Sequence, residues 1–377
     1  MTNNKIEIPV VSMIPGIGRA VREQLSSPTA SSLAAKLYQS SKLEIVDLPM
    51  PVVCPPNAQP KGSSSKGPAT TTQWMLDPDQ QQVLFDAEAL LMDAHVAAPL
   101  LLAPKTNLPF ELQHLLKKVR WVQGTYAGVD SYLQYPDAPV HPGFTVSRAG
   151  GVMPTALAQF VFGYVVAIER KFFEAKKYQD LRVFGRWELK YRSYRNLTIG
   201  VLGLGEVGQE IGRMFKASEF RVVGFKRRIR NGDKKMLGSS VDTVTTDLSE
   251  VLKQSDYVVN ALPSTNATRY LLTEQVLAVC HEKKPVFVNV GRGDVISENT
   301  ILAALAKGLF SKAVLDVFEE EPLPKESPLW SHPGVIVTPH IAGTVFPEDV
   351  AAVFVRNLNL WLKGQPVLHQ MDWSSGY

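Results

Sequence analysis

The sequence predicts an α/β protein made of two Rossmann-like domains, each a doubly wound parallel sheet. Three observations carry this. Short apolar runs rich in β-branched residues alternate with helical stretches along most of the chain. One run, Leu197 to Leu202, leads into G-x-G-x-x-G and then a helix. Later runs end in residues able to meet a ligand, at the strand ends where open parallel sheets bind. A length of 377 residues suits two domains.

The elements follow in order. Ile6 to Met13 and Leu43 to Leu48 read as strands, with a helical stretch from Ala20 to Leu37 between them. Cys54 to Thr72 is rich in Pro, Gly and Ser and without periodicity, so residues 54–72 are expected to be a flexible insertion. Ala87 to Met92 is a third strand. Leu108 to Lys118, with Leu112, Leu115 and Leu116 in a stripe, is expected to be a helix. Val119 to Val122 is a fourth strand, ending in Gly124-Thr-Tyr-Ala127-Gly128. A long apolar helix from Pro154 to Lys171 follows. The stretch from Lys176 to Arg195, rich in Arg, Tyr and Trp187, is either an arm that packs on another subunit or a segment packed on its own domain. After the glycine motif come strands at Phe220–Phe225, Ser255–Asn260, Lys284–Val290, Lys312–Leu315 and Val335–Thr338, and a last helix from Pro347 to Leu362.

Composition narrows the function. The chain is 45% hydrophobic and 20% charged, ordinary for a globular protein. The net charge of +4 is small and much of it lies between Lys226 and Lys235, so no nucleic-acid partner is expected. Two cysteines, Cys54 and Cys280, give neither a disulfide framework nor zinc spacing; no metal is expected. No apolar run is long enough for a membrane span, and the N-terminus lacks the apolar core of a signal peptide, so a cytoplasmic location is expected.

The glycine motif points to a dinucleotide. Gly203 permits the tight turn, Gly205 lets a pyrophosphate approach the backbone, and Gly208 lets the helix pack close to its strand. The helix that opens at Glu206 and Val207 offers free N–H groups to the phosphates. About 20 residues on, an acid would hold a ribose 2′-OH. The sequence there reads Lys226-Arg227-Arg228. Guanidinium groups hold a 2′-phosphate where a carboxylate would repel it, which favours NADP(H) and leaves NAD(H) possible. A solvated basic loop is the plain alternative.

Three ionisable residues, Arg292, Glu321 and His340, stand just past three successive strands. A guanidinium can clamp a carboxylate and a carbonyl oxygen, and an imidazole can pass a proton near neutral pH. A carboxylate bonded to that imidazole would raise its pKa. With a hydride carrier, this set is what reducing a 2-oxo acid to a 2-hydroxy acid needs: a clamp, a proton donor and a hydride. Taken singly, Arg292 could only brace a turn, Glu321 could be one of a solvated run, and His340 could be structural.

The second half resembles the D-isomer-specific 2-hydroxyacid dehydrogenase family, most of all its NADPH-preferring glyoxylate/hydroxypyruvate reductase-like members. The similar pieces are Gly203-Leu-Gly-Glu-Val-Gly208, Asn289-Val-Gly-Arg292-Gly293, Asp316-Val-Phe-Glu-Glu-Glu321-Pro322 and Thr338-Pro-His340-Ile-Ala-Gly343, in an order that runs from Ala127 to Val367. The resemblance implies that Arg292 binds substrate, that His340 is the acid–base residue oriented by Glu321, and that Asp316 holds the nicotinamide carboxamide. It implies that Leu262, Pro263 and Val290 line the cofactor cleft, with Gly343 beside them, and that backbone N–H groups of Ala127 and Gly128 take the substrate carboxylate. It implies a substrate domain of residues 1–150 plus 346–377, a dinucleotide-binding domain of residues 151–345, and a homodimer through the latter. Gln159 stands where the family usually has an acid. Two other functions fit the same motifs: a dinucleotide-sensing corepressor-like binding protein, or an NAD-dependent dehydrogenase with a larger substrate.

Overall fold

The computed structural model describes residues 5–54, 70–104, 108–135, 142–229 and 232–374. It divides into two compact units, Met1–Val152 with Val345–Tyr377, and Met153–Thr344.

The first unit runs β1 (Ile6–Val11), α1 (Ile17–Ser26), α2 (Leu33–Gln39), β2 (Leu43–Asp47), β3 (Val52–Cys54), β4 (Thr70–Gln73), α3 (Pro78–Asp86), β5 (Ala89–Met92), α4 (Ala94–Leu102), β6 (Trp121–Gln123) and β7 (Thr145–Ser147). Its parallel sheet has the order β2-β1-β5-β6-β7. The apolar run of β5 is continuous because both faces are covered. Leu90 and Met92 point into one core, Ala89 and Leu91 into the other.

Two expected helices come out differently. The stretch from Ala20 to Leu37 breaks into α1 and α2. Pro28 disfavours helical geometry at Ser27, which is extended at ψ 132°, and Ser32 then caps α2 by accepting from Ala35 N–H at 3.2 Å. Leu108 to Lys118 holds only a short 3-10 turn at Phe110–Leu112. Its leucines are buried as expected, but Leu116 sits at φ +61°, and a left-handed residue ends a helix. The ends of the expected insertion at 54–72 are strands: β3 and β4 pair antiparallel, and residues 55–69 lie outside the described residues.

The second unit contains α5 (Pro154–Glu169), α6 (Phe172–Asp180), β8 (Thr198–Leu202), α7 (Glu206–Ala217), β9 (Arg221–Phe225), α8 (Asp233–Leu237), β10 (Thr243–Thr245), α9 (Leu248–Gln254), β11 (Tyr257–Asn260), α10 (Glu274–Leu277), β12 (Val286–Asn289), α11 (Glu298–Ala306), β13 (Lys312–Leu315) and β14 (Val335–Val337). Its seven strands are parallel in the order β10-β9-β8-β11-β12-β13-β14. The chain winds outward from β8 through β9 to β10, then returns to β11 and winds the other way. The switch point therefore lies between β8 and β11, where doubly wound sheets open a crevice at the carboxyl ends of their strands.

The last helix, α12 (Pro347–Leu362), belongs to the first unit. Phe354 stacks on Trp121 at 5.7 Å between ring centroids. The buried Asn357 donates to Gln123 Oε1 at 2.8 Å. No described helix is long and apolar enough to cross a membrane.

Candidate active site

The three motif glycines do different jobs. Gly203 is left-handed at φ +94°, and a Cβ there would stand 3.0 Å from the Ala261 carbonyl oxygen. A Cβ at Gly208 would lie 1.8 Å from the Gly203 carbonyl oxygen, so α7 needs a glycine to sit so close to its strand. Gly205 differs: its φ is an ordinary −74°, and a Cβ would meet nothing within 4 Å. Packing explains two of the glycines and leaves the third. An open approach to the backbone at Gly205, before an α7 N-terminus with no side-chain cap, suits a phosphate.

Around the turn, Glu206 is exposed in the first turn of α7 and Val207 packs against the core. Leu262 is buried beside Gly203, and the Pro263 carbonyl accepts from Thr268 Oγ1 at 2.6 Å. The Val290 side chain lies in the same core cluster as Val201 and Val288. The basic residues follow β9, whose Phe225 is in register with Leu202, so they stand beside the glycine turn. Lys226 Nζ is held at 2.6 Å by the buried Asp233 carboxylate. Arg227 and Arg228 are exposed and make no hydrogen bond or ion pair with a described residue.

At the other side of the switch point, three loops interleave. A Cβ at Gly291 would be 2.7 Å from the Leu262 carbonyl oxygen, and one at Gly293 would be 1.9 Å from the Phe318 carbonyl. Arg292, between these glycines, is thus set directly against the loops that follow β11 and β13. Its Nη1 donates to the Gly291 carbonyl at 2.9 Å. Glu321 Oε2 meets His340 Nδ1 at 2.7 Å, and Glu321 Oε1 accepts from Phe318 N–H at 2.9 Å.

His340 has φ +54°, an uncommon conformation for a residue with a Cβ. Asp316 holds it there. The Asp316 carbonyl accepts from His340 N–H at 2.9 Å. Its carboxylate accepts from Thr338 Oγ1 at 2.7 Å and from Ile341 N–H and Ala342 N–H at 2.9 Å each. Three of about four acceptor positions on this buried carboxylate are therefore spent on the His340 loop. Gly343 closes the loop against α5, where a Cβ would be 2.9 Å from Leu157 Cδ1. Gln159 is exposed on the same helix.

Sequence reading missed the anchoring by Asp316 and the role of two buried asparagines, Asn260 and Asn289, that end neighbouring strands. The available signal was a lone amide closing each apolar run, since a buried polar group must be satisfied. In the first unit, Ala127 and Gly128 follow β6 at the carboxyl end of its sheet, half-buried. Neither makes a hydrogen bond with a described residue, so both amides are unspent.

Comparison with known proteins now decides the family. Residues 162–342 match the family model described as D-isomer specific 2-hydroxyacid dehydrogenase, NAD binding domain. Over 260 residues the chain is 32% identical to glyoxylate/hydroxypyruvate reductase A of Escherichia fergusonii, covering 67% of this chain and 80% of that protein. The chain belongs to the D-isomer-specific 2-hydroxyacid dehydrogenase family. It is similar throughout to a solved family member from Aeromonas salmonicida, at 28% identity and TM-score 0.71, covering 98% of this chain and 99% of that one. It is also similar to one from Xanthobacter autotrophicus solved with NADPH and MES, at 25% identity and TM-score 0.70, again covering 98% and 99%.

This dehydrogenase is an oxidoreductase with a nicotinamide dinucleotide site, and the open turn at Gly205 fits that group. Its ionisable groups are coupled. The hydrogen bond to Glu321 holds the His340 imidazole above its ordinary range; burial and the positive charge of Arg292 oppose the shift, and the carboxylates of Glu321 and Asp316 add to it. Burial pushes Glu321 up. The hydrogen bonds from His340 and Phe318 N–H and the charges of His340 and Arg292 outweigh that, so Glu321 titrates below its ordinary range. Near neutral pH this pairing favours an imidazolium facing a carboxylate, with a guanidinium close enough to be felt by both.

Proposed function

We propose that this dehydrogenase reduces a small 2-oxo acid of the glyoxylate/hydroxypyruvate type to the D-2-hydroxy acid, using NADPH in preference to NADH. The observation that carries the chemistry is the 2.7 Å contact between Glu321 and His340, close enough to Arg292 for its charge to act on both, with the segment that leads to Glu321 lying against Gly293 beside that arginine. The names of the E. fergusonii reductase and of the NADPH-bound Xanthobacter relative support the substrate class and the cofactor.

The turn at Gly203–Gly208 would hold the dinucleotide, which when bound would supply the hydride for C2. Arg292 presents its guanidinium to the substrate carboxylate and the 2-oxo oxygen, and offsets the negative charge that grows on that oxygen. Protonated His340 donates the proton that oxygen needs. Glu321, bonded at Nδ1, keeps the imidazole protonated and leaves Nε2–H to be the donor. Asp316 fixes the loop, so the imidazole needs little reorganisation. The spare acceptor position of Asp316 is assigned to the nicotinamide carboxamide, and the unspent amides of Ala127 and Gly128 to the substrate carboxylate. Arg227 and Arg228 are assigned to the 2′-phosphate. Residues 1–150 with 346–377 then act as the substrate domain and 151–345 as the dinucleotide domain. A homodimer through the latter is supported by exposed aromatic residues along 172–194, with Phe184 93% and Trp187 69% exposed.

The test is steady-state kinetics with glyoxylate, hydroxypyruvate and phenylpyruvate, each with NADPH and NADH. His340→Ala and Arg292→Ala should each lower kcat/KM by roughly 10²–10⁴. Near-normal turnover in either variant would reject its assigned role.

A further inference from the structure

Arg292 has no helix or strand of its own to hold it. What it rests on is a pair of buried amides. Asn260 ends β11 and Asn289 ends β12, and they are register partners in the parallel pair. Each is almost wholly buried, at 0% and 1% exposure. Asn260 Nδ2 donates to Asn289 Oδ1 at 2.8 Å. Asn289 Nδ2 donates to the Arg292 carbonyl at 3.2 Å, and Asn260 Nδ2 reaches the same carbonyl at 3.5 Å. In the other direction, Asn289 Oδ1 accepts from Gly291 N–H at 3.2 Å, and Asn260 Oδ1 accepts from Leu262 N–H at 3.2 Å. One amide pair thus ties together the loop that carries Arg292 and the loop that carries Leu262.

We infer that Asn260 and Asn289 are positioning residues that set Arg292 for the substrate. The chemistry requires amides. A carboxylate cannot donate to the Arg292 carbonyl; apolar side chains at both positions would leave the Gly291 and Leu262 N–H groups unsatisfied and the Arg292 carbonyl with only the long 3.5 Å bond from Val295 N–H. Glycine at 291 is part of the device: a Cβ there would stand 3.0 Å from Asn260 Nδ2, so only a bare backbone lies flat on the pair. Glycine at 293 lets the far side of Arg292 press against Phe318, in the segment whose N–H holds Glu321. The backbone from which the guanidinium extends is therefore fixed on one side by the asparagines and on the other by the Phe318 segment, and the guanidinium folds back onto this held backbone through Nη1 and the Gly291 carbonyl. A shift of about 1 Å in such a group costs on the order of 10²-fold in rate.

The inference rests on the substrate role proposed for Arg292, and a double-mutant cycle separates the two. Asn289→Ala, Arg292→Ala and the double variant are compared with the parent by kcat/KM, by dinucleotide Kd and by the pH dependence of reduction. Asn289→Ala is expected to lose roughly 10- to 100-fold in kcat/KM in the parent. It should lose less than about twofold in the Arg292→Ala background, because a brace has nothing left to place. The alkaline limb of Asn289→Ala should move in the same direction as that of Arg292→Ala. The groups that act on His340 are Glu321, Arg292 and Asp316, and only the second is displaced. Equal losses in both backgrounds, or an unmoved limb, would overturn the inference and leave the asparagines as fold-stabilising groups only. If Arg292→Ala itself is fully active, the proposed function fails instead. Should Asn289→Ala not fold, Asn289→Ser keeps a hydroxyl donor and acceptor, and the same cycle is read with a smaller loss.

Discussion

Replacing Glu321 with Gln removes the charge and one of two acceptors, because the amide NH2 then faces the Phe318 N–H that now donates to Glu321 Oε1 at 2.9 Å. The amide keeps a carbonyl oxygen where Glu321 Oε2 now meets His340 Nδ1 at 2.7 Å, so the ring retains an acceptor and its orientation. What is lost is the preference for imidazolium. A hydrogen bond to a charged group is worth about 1.5–3 kcal/mol. The His340 side chain is 56% exposed and that of Glu321 35%, so solvent screening brings this down to about 1–2 kcal/mol. That corresponds to roughly 5- to 30-fold in kcat/KM near neutral pH. The sign follows from His340 being held above its ordinary range by Glu321. Reduction needs the protonated ring, so kcat/KM for the 2-oxo acid is flat in acid and falls as pH rises through the His340 pKa. In Glu321→Gln that fall moves to lower pH. Oxidation of the 2-hydroxy acid needs the neutral ring and should persist to lower pH in the variant than in the parent. The assay is initial-rate kinetics in both directions across the pH range in which His340 titrates. An alkaline limb that stays in place or moves upward would refute the coupling, whatever the absolute rates.

Other outcomes follow from the same geometry. Arg227→Ala and Arg228→Ala should each weaken kcat/KM with NADPH by roughly tenfold and leave NADH little changed, because exposed guanidinium groups give the lower end of a charge-assisted bond. Lys226→Ala should matter less, since Asp233 already pairs with it. A parent enzyme that prefers NADH would reject the phosphate assignment. The motif glycines should split by experiment. Gly208→Ala drives a methyl to 1.8 Å from a backbone carbonyl and should destabilise the fold by about 1–3 kcal/mol, seen as a lower Tm. Gly205→Ala meets no protein atom and should keep the parent Tm while weakening dinucleotide Kd by at least about tenfold. Equal Tm losses would mean that both are packing glycines. Replacing Phe184 and Trp187 together with Ser should turn a dimer into a monomer by sedimentation, and an unchanged mass would place the interface elsewhere.

Much of the site was legible because its residues sit where a parallel sheet must place them. Strand, glycine turn and helix at Leu197–Phe215 follow from period and from glycine spacing, and the β-branched runs of β11, β12 and β13 could only be buried strands. Given those strands, Arg292, Glu321 and His340 had to leave the sheet at one edge. The failures were local. A proline at position 28 and a left-handed Leu116 interrupted helices whose apolar spacing was otherwise intact. Apolar spacing reports which face is buried, and Leu112, Leu115 and Leu116 were buried without a helix.

The order of residues determined the sheet class, the dinucleotide turn, the basic loop in place of an acid and the three ionisable groups. Each rests on short-range chemistry: backbone sterics, side-chain period or charge type. Tertiary structure decided what holds those groups. Asp316 reaches the loop around His340, Asn260 and Asn289 meet beneath Arg292, and Asp233 neutralises Lys226 while Arg227 and Arg228 stay without such a partner among the described residues. The Lys226–Asp233 pair is made within one short connection, but the others need hydrogen bonds a few ångströms long between groups that end different strands, and the register of one strand against another sets that distance.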